Sequence, residues 1–267
     1  MQLTAVQLEQ EAGDVAGNRT RAVAAIEQAA ANGADLVALP ELWNVGYFAF
    51  DSYAREAEGI DGPTLSELSA LADRLDIGLL AGTVVEDLAA SAAAGVEVPD
   101  DGLANTAVFF DRDGRRRGIY RKRHLFGYGS AETRLLTPGE RLPTVEFEGF
   151  TVGFTTCYDL RFPELYRELA EKGSTLVLVP SAWPYPRVEH WQVLSRARAI
   201  ENLTYFATVN GAADFEEATL LGRSTIHDPW GTVLASAGDE PTLVSAEITP
   251  ERVTDIRDEF PAWQDRR

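Results

Sequence analysis

The sequence predicts a single α/β domain, and three observations lead there. Short apolar, β-rich runs alternate with stretches of helical period along the whole chain. No proline- or serine-rich linker and no shift in composition divides them. With 267 residues and 45% apolar side chains, the chain can bury one large core or two small ones. Alternation of this kind suits strands joined by helices that pack on a sheet.

Taken in order, the first strand is expected at 3–8. An alanine-rich helix follows from about 18 to 31 and stops at Gly33. A strand at 35–39 leaves Glu41 at its carboxyl end. Pro63 opens a helix over PTLSELSALADRL, and strands at 77–85 and 103–110 come next. Between those two, DLAASAAAGVEVPDD (87–101) has no clear period and reads as an exposed loop. A strand at 118–121 delivers Lys122 and runs into RHLFGYGSAETRLLTPGE, whose glycines and lack of period mark a site-forming loop.

In the second half, a strand at 145–147 turns at Glu148 and Gly149 into one at 151–156, and Cys157 stands just past its end. A helix at 163–172, a strand at 175–179, a helix at 188–202 and a strand at 205–210 follow. The tail reads as strands near 224–227, 232–236 and 243–248, then a short helix from 250 to about 258. One internal echo stands out: NGADLVALPELW (32–43) parallels KGSTLVLVPSAW (172–183). Both run helix end, glycine, β-run, proline, aromatic turn, which suggests two similar halves whose strand ends face a shared site.

Composition narrows the function. The chain has 42 acidic and 24 basic residues, for a formal charge of −18. Such a field repels phosphate backbones and anionic lipid, so neither nucleic acid nor a membrane is an expected partner. The first residues have no basic or apolar leader and no run is long enough to span a bilayer, so a cytoplasmic location is expected. Of the basic residues only Lys122 and Lys172 are lysines. Arginine and carboxylate in this excess fit GC-rich coding or a cytoplasm at high salt, and the second is the expectation kept here. The single cysteine, Cys157, excludes disulfides and multi-cysteine metal sites.

The residues that can carry chemistry are few. Cys157, at a strand-to-helix elbow, sees helix N–H groups that favour a thiolate and can receive an oxyanion, although a lone buried cysteine is as easily structural. His124, His190 and His227 show no partner that announces a triad, and no spacing that suits a metal. The remaining set is Glu41, Lys122 and Cys157, each at the end of an expected strand, where open sheets place ligands.

Here the chain resembles the nitrilase superfamily of carbon–nitrogen hydrolases. LPELW surrounds Glu41, YRKRHLF surrounds Lys122 and CYDLRFPELYRELA begins at Cys157, with RARAIEN and GRSTIHDPWG after them. The resemblance implies a four-layer α-β-β-α sandwich with a Glu-Lys-Cys triad and no cofactor or metal. In it Glu41 serves as base and acid, and Cys157 as the nucleophile that forms a thioester. Lys122 and the N–H of Tyr158 would hold the oxyanion. A second glutamate of the family matches Glu132, which would hold Lys122 and the substrate in register, against the plainer reading of an exposed loop acid. The double role of Glu41 predicts a pKa raised by burial.

Superfamily members act on nitriles, amides and N-carbamoyl compounds, so the family alone leaves the substrate open. The segment PSAWPYPRVEHWQVLSRARAIEN resembles the ω-amidase branch, whose substrates carry a carboxylate at one end and a primary amide at the other. Arg187 is the candidate clamp for that carboxylate, and Trp183, Tyr47, Phe126 and Tyr128 are candidate pocket walls. Arg161 is expected to anchor the elbow through a salt bridge. Other nitrilase-branch hydrolysis, and a scaffold protein without turnover, are the alternatives. The resemblance also implies a homodimer or larger homo-oligomer through the helices at 163–172 and 188–202, with the tail from about 250 to 267 at the interface.

Overall fold

The computed structural model of the chain describes residues 1–99 and 101–265; Asp100 in the expected loop and Arg266 and Arg267 in the expected tail lie outside them. The first half runs β1 (Gln2–Gln7), α1 (Val15–Ala31), β2 (Leu36–Ala38), α2 (Tyr53–Glu56), α3 (Pro63–Leu75), β3 (Gly78–Asp87), α4 (Leu88–Ala93), β4 (Leu103–Phe110) and β5 (Arg116–Arg121). The second runs α5 (Glu132–Leu135), β6 (Thr144–Phe147), β7 (Phe150–Phe154), α6 (Pro163–Glu171), β8 (Leu176–Ser181), α7 (Val188–Asn202), β9 (Tyr205–Asn210), β10 (Thr225–His227), β11 (Val233–Ser236), β12 (Thr242–Glu247) and α8 (Pro250–Glu259).

Among the described residues the strands form two six-stranded sheets, ordered β12-β1-β2-β3-β4-β5 and β11-β10-β9-β8-β7-β6. The period of two in the apolar runs decides their stacking. On the first sheet Leu3, Ala5, Leu36, Ala38, Leu80 and Phe109 pack into one core with Phe150, Phe154, Leu176 and Leu178 of the second. Their neighbours Val6, Val37, Leu79 and Val108 face the other way, onto Ile26 of α1 and Leu65 and Leu68 of α3. Leu165 and Leu169 of α6 and Trp191 of α7 cover the second sheet, which completes an α-β-β-α sandwich. The inner strands of both sheets are thus buried on both faces, as their near-continuous apolar runs require, while the edge strands β11 and β12 are partly exposed. No helix among the described residues is long and apolar enough to cross a membrane.

Two expected loops contain helical turns. Asp87 accepts the Ala90 N–H at 3.0 Å and so caps α4 inside the stretch read as an exposed loop. Its alanines hid a helix of six residues because so short an amphipathic pattern shows no period. Likewise α5 forms a single turn within the site-forming loop, and Glu132 begins it.

Packing also sets one pH response. His227 on β10 is buried, its Nδ1 has no partner, and burial lowers its pKa to about 4. The unfolded chain takes up this proton near pH 6.5 and the fold resists it. The stability held at neutral pH is therefore lost as pH falls from about 6.5 toward 4. From pH 7 to pH 5 the loss from this group is about 2 kcal/mol. Urea unfolding of His227→Gln at both pH values is expected to show that much less acid sensitivity than wild type, and equal sensitivity would remove the assignment.

Candidate active site

The two echoing strands end against each other. Beyond β2 the Glu41 N–H donates to Ser181 O at 3.3 Å, and the Ala182 N–H at the end of β8 donates to Glu41 Oε2 at 2.9 Å. The backbone that carries Glu41 is fixed by a bulge in β3, where Gly82 has φ +62° and a Cβ would lie 2.1 Å from Pro40 O. Only glycine fits there. Next to it Thr83 Oγ1 accepts the Leu42 N–H at 2.8 Å.

Lys122 follows β5, and its N–H donates to Asn105 O on β4 at 2.9 Å. Its neighbour Arg121 forms a two-pronged ion pair with Glu86, both contacts at 2.7 Å, which holds the strand from the other side. Lys122 Nζ donates to Glu41 Oε1 at 2.8 Å and to Glu132 Oε1 and Oε2 at 2.8 and 3.0 Å. Asn105 Nδ2 donates to the same two carboxylates, at 2.8 Å to Glu41 Oε1 and 3.1 Å to Glu132 Oε1. Glu132 Oε2 also accepts the Phe126 N–H at 2.7 Å and Tyr47 Oη at 3.2 Å.

Glu41, Glu132, Asn105 and Lys122 are all buried, so two carboxylates share one ammonium away from water. Such a cluster persists because each charge is paired and hydrogen-bonded. Burial raises the Glu41 pKa, and Glu132 adds to the rise against the pull of Lys122. Burial alone would lower that of Lys122, but Glu132 and Glu41 outweigh it and hold the ammonium well above its ordinary value.

Cys157 opens a short 3₁₀ turn with φ +48°, and Asp159 secures it. Asp159 Oδ2 accepts the Thr156 N–H at 3.0 Å and Tyr120 Oη at 2.6 Å; its Oδ1 accepts the His124 N–H at 3.0 Å and lies 2.8 Å from His124 Nδ1. His124 does have an aspartate partner, therefore, but the pair ties the lysine segment to the elbow and His124 is not among the pocket walls. The expectation of a favoured thiolate is corrected. Burial, then the charge of Glu41, raises the Cys157 pKa well above the ordinary thiol value, and Lys122 offsets only part of this. The resting group is a neutral thiol hydrogen-bonded to the Glu41 side chain.

A narrow pocket of about 40 Å³ leads to Cys157. Tyr47, Phe126, Trp183 and Arg187 line it, as do Tyr158 and Arg161. Tyr128 is not a wall: it is 78% exposed on a turn between Gly127 and Gly129, reaching back only to a tilted contact with Phe126. Arg161 makes no carboxylate ion pair among the described residues; its guanidinium stands 4.8 Å from the Trp183 ring centre. The elbow it was expected to brace is already held by Asp159. Arg187 lies over Phe126 at 5.5 Å. Two larger clefts, of about 950 and 800 Å³, share at most Phe48 with this pocket and do not reach the thiol.

The carbon–nitrogen hydrolase family profile matches residues 2–258. The chain belongs to that family. A 2-oxoglutaramate amidase of Paenarthrobacter nicotinovorans is 37% identical over 88% of this chain and 79% of its own. A human omega-amidase is 35% identical over 94% and 89%. Among solved structures, a CN-hydrolase superfamily protein of Xanthomonas campestris with an arsenic adduct in its active site superposes with a TM-score of 0.88, at 31% identity over 100% and 97% of the two chains.

Sequence reasoning about this carbon–nitrogen hydrolase passed over Asn105. A signal was available, since asparagine is unfavourable in a strand and yet stands inside LANTAVFF. Arg161 lines the pocket instead of forming a salt bridge at the elbow, because a motif gives the position of a side chain and not its direction. The partnership of His124 with Asp159 spans 35 residues and left no local trace.

Proposed function

We propose that this hydrolase cleaves the terminal amide of a small ω-amido acid of the 2-oxoglutaramate or 2-oxosuccinamate type, through a thioester on Cys157. The observation that carries the substrate class is the pair Arg161 and Arg187 on the pocket wall. Burial lowers the Arg161 pKa and the charge of Arg187 lowers it further. Two guanidiniums that repel each other and have no carboxylate partner among the described residues gain most from an anionic substrate group. The names of the amidase relatives support the same reading.

In this mechanism Glu41 takes the thiol proton as sulfur attacks the amide carbon. The oxyanion is held by the Tyr158 N–H and by the charge of the Lys122 ammonium, whose three hydrogens face Glu41 Oε1 and both oxygens of Glu132 before substrate binds. Glu41 then gives its proton to the leaving nitrogen, ammonia departs, and a thioester remains. Water attacks it while Glu41 accepts the proton, and the carboxylate product leaves as the thiol is restored. Glu132 holds Lys122 in line through both oxygens.

Ammonia release from 2-oxoglutaramate, 2-oxosuccinamate and a neutral amide of the same length tests the reading. Arg161→Gln and Arg187→Gln are each expected to raise KM for the anionic amides by about ten- to a hundredfold and to spare the neutral one. Equal effects on both kinds of amide, or a wild-type preference for nitriles or N-carbamoyl amino acids, would overturn it. We further propose a homodimer in a saline cytoplasm. Exposed Val193 and Ile200 on α7 and Val233 on the edge strand β11 support the interface, and the charge of −18 supports the setting. Sizing and melting at low and molar salt check both: a monomer throughout removes the first, and a salt-independent melting temperature removes the second.

A further inference from the structure

We propose that Asn105 is a positioning residue that holds Glu41 and Glu132 side by side and sets, from β4, the pH at which Glu41 becomes a base. The inference rests on the reading of Glu41 as that base. Asn105 is fully buried, and each hydrogen of its Nδ2 has a carboxylate acceptor, Glu41 Oε1 at 2.8 Å and Glu132 Oε1 at 3.1 Å. Its Oδ1 has no partner. The opposite orientation of the amide would point a carbonyl oxygen at two carboxylates, so the acceptors decide the orientation and an unpaired Oδ1 is the cost. Through its backbone oxygen the same residue also receives the Lys122 N–H at 2.9 Å.

The charged and titratable groups that bear on Glu41 are Lys122 from β5, Glu132 from α5, Cys157 from the elbow, and Tyr47 and Tyr53 from the segment after Glu41 itself. Lys122 is the single cation in that set, and it is divided between two carboxylates. Asn105 is the neutral donor common to both among the described residues. A donor to the ionised form of a carboxylate favours ionisation, and the gain is large where water is absent. Burial already pushes Glu41 toward its neutral form, so loss of this donor moves it further the same way.

The test is kcat/KM against pH. In Asn105→Ala the acid limb is expected about one pH unit higher than in wild type, with the rate recovering toward the wild-type plateau at alkaline pH. Asn105→Asp, which sets a third carboxylate beside the two, moves it further. Asn105→Ser, whose hydroxyl hydrogen serves one carboxylate at a time, lies between and is the fallback if the alanine variant does not fold. A plateau lowered at every pH with the limb unmoved makes Asn105 a spacer and overturns the proposal. An infrared titration of the buried carboxylic C=O band that Glu41→Gln removes gives a readout without turnover. If that band titrates at the wild-type pH in both the alanine and serine variants, the proposal falls. If wild type hydrolyses no amide but the band moves as expected, it is the functional reading that fails.

Discussion

Cys157→Ala is expected to lose amide hydrolysis by at least about a thousandfold; Glu41→Gln is expected to lose it to a similar degree while its Cys157 thiol becomes more reactive. The reason lies in the resting state. Burial and then the charge of Glu41 hold Cys157 as a neutral thiol. In the proposed mechanism turnover needs proton transfer to Glu41 in step with attack, so removing either partner is expected to stop it. Alkylation by iodoacetamide needs only thiolate. Glu41→Gln removes the negative charge that raises the thiol pKa and leaves Lys122 in place. The variant is expected to label faster than wild type at mildly alkaline pH although it turns over far more slowly. The paired measurement is a labelling time course and an ammonia assay on the same preparations. Slower labelling in Glu41→Gln would show that Glu41 activates the resting thiol as a base and that the neutral-thiol account is wrong. Slow labelling of wild type at neutral pH does not, in this account, indicate a protein without turnover.

Lys122→Met is expected to damage both activity and stability. Its ammonium is the shared partner of Glu41 and Glu132, and all three side chains are buried. Taking one partner from a buried ion pair typically costs about 3–5 kcal/mol, because the charge left behind has neither water nor a counterion. On the proposed role of Lys122 at the oxyanion, loss of that donor alone is expected to cost about 100- to 1,000-fold in kcat. The variant also has a predictable pH response. Without Lys122, burial and the charge of Glu132 raise the folded-state pKa of Glu41 above its unfolded value with nothing to pull it back, so protonation of Glu41 favours the fold. Stability is then gained as pH falls toward the unfolded value near 4.3 and lost as it rises. The stability gap between wild type and Lys122→Met is accordingly expected to narrow from pH 8 to pH 5, as measured by urea unfolding. A gap that is constant with pH would mean that burial does not hold Glu41 toward its neutral form once Lys122 is gone.

Much of this was legible in the linear chain, for local reasons. The alternation of β-runs and helical periods marks the strands because one side-chain period repeats within a few residues. The match of 32–43 with 172–183 located two strand ends that do meet, at Glu41 and Ala182. Scarcity is informative as well: Cys157 is the one cysteine of the chain and Lys122 one of its two lysines. The short helix α4 and the single turn α5 escaped because four to six residues are too few to show a period.

What the sequence determined by itself was therefore the set of backbone positions that end at the site, since strand, turn and helix signals are encoded by neighbours in the chain. The tertiary structure decided the rest. Lys122 meets Glu41 across 81 residues and Asn105 meets Glu41 across 64, separations over which no local pattern reports a contact. It turned Tyr128 outward and Arg161 into the pocket. It also made Cys157 a neutral thiol, because a pKa follows from how much water is excluded and which charges remain nearby. Both are properties of the packed sheets and of no segment alone.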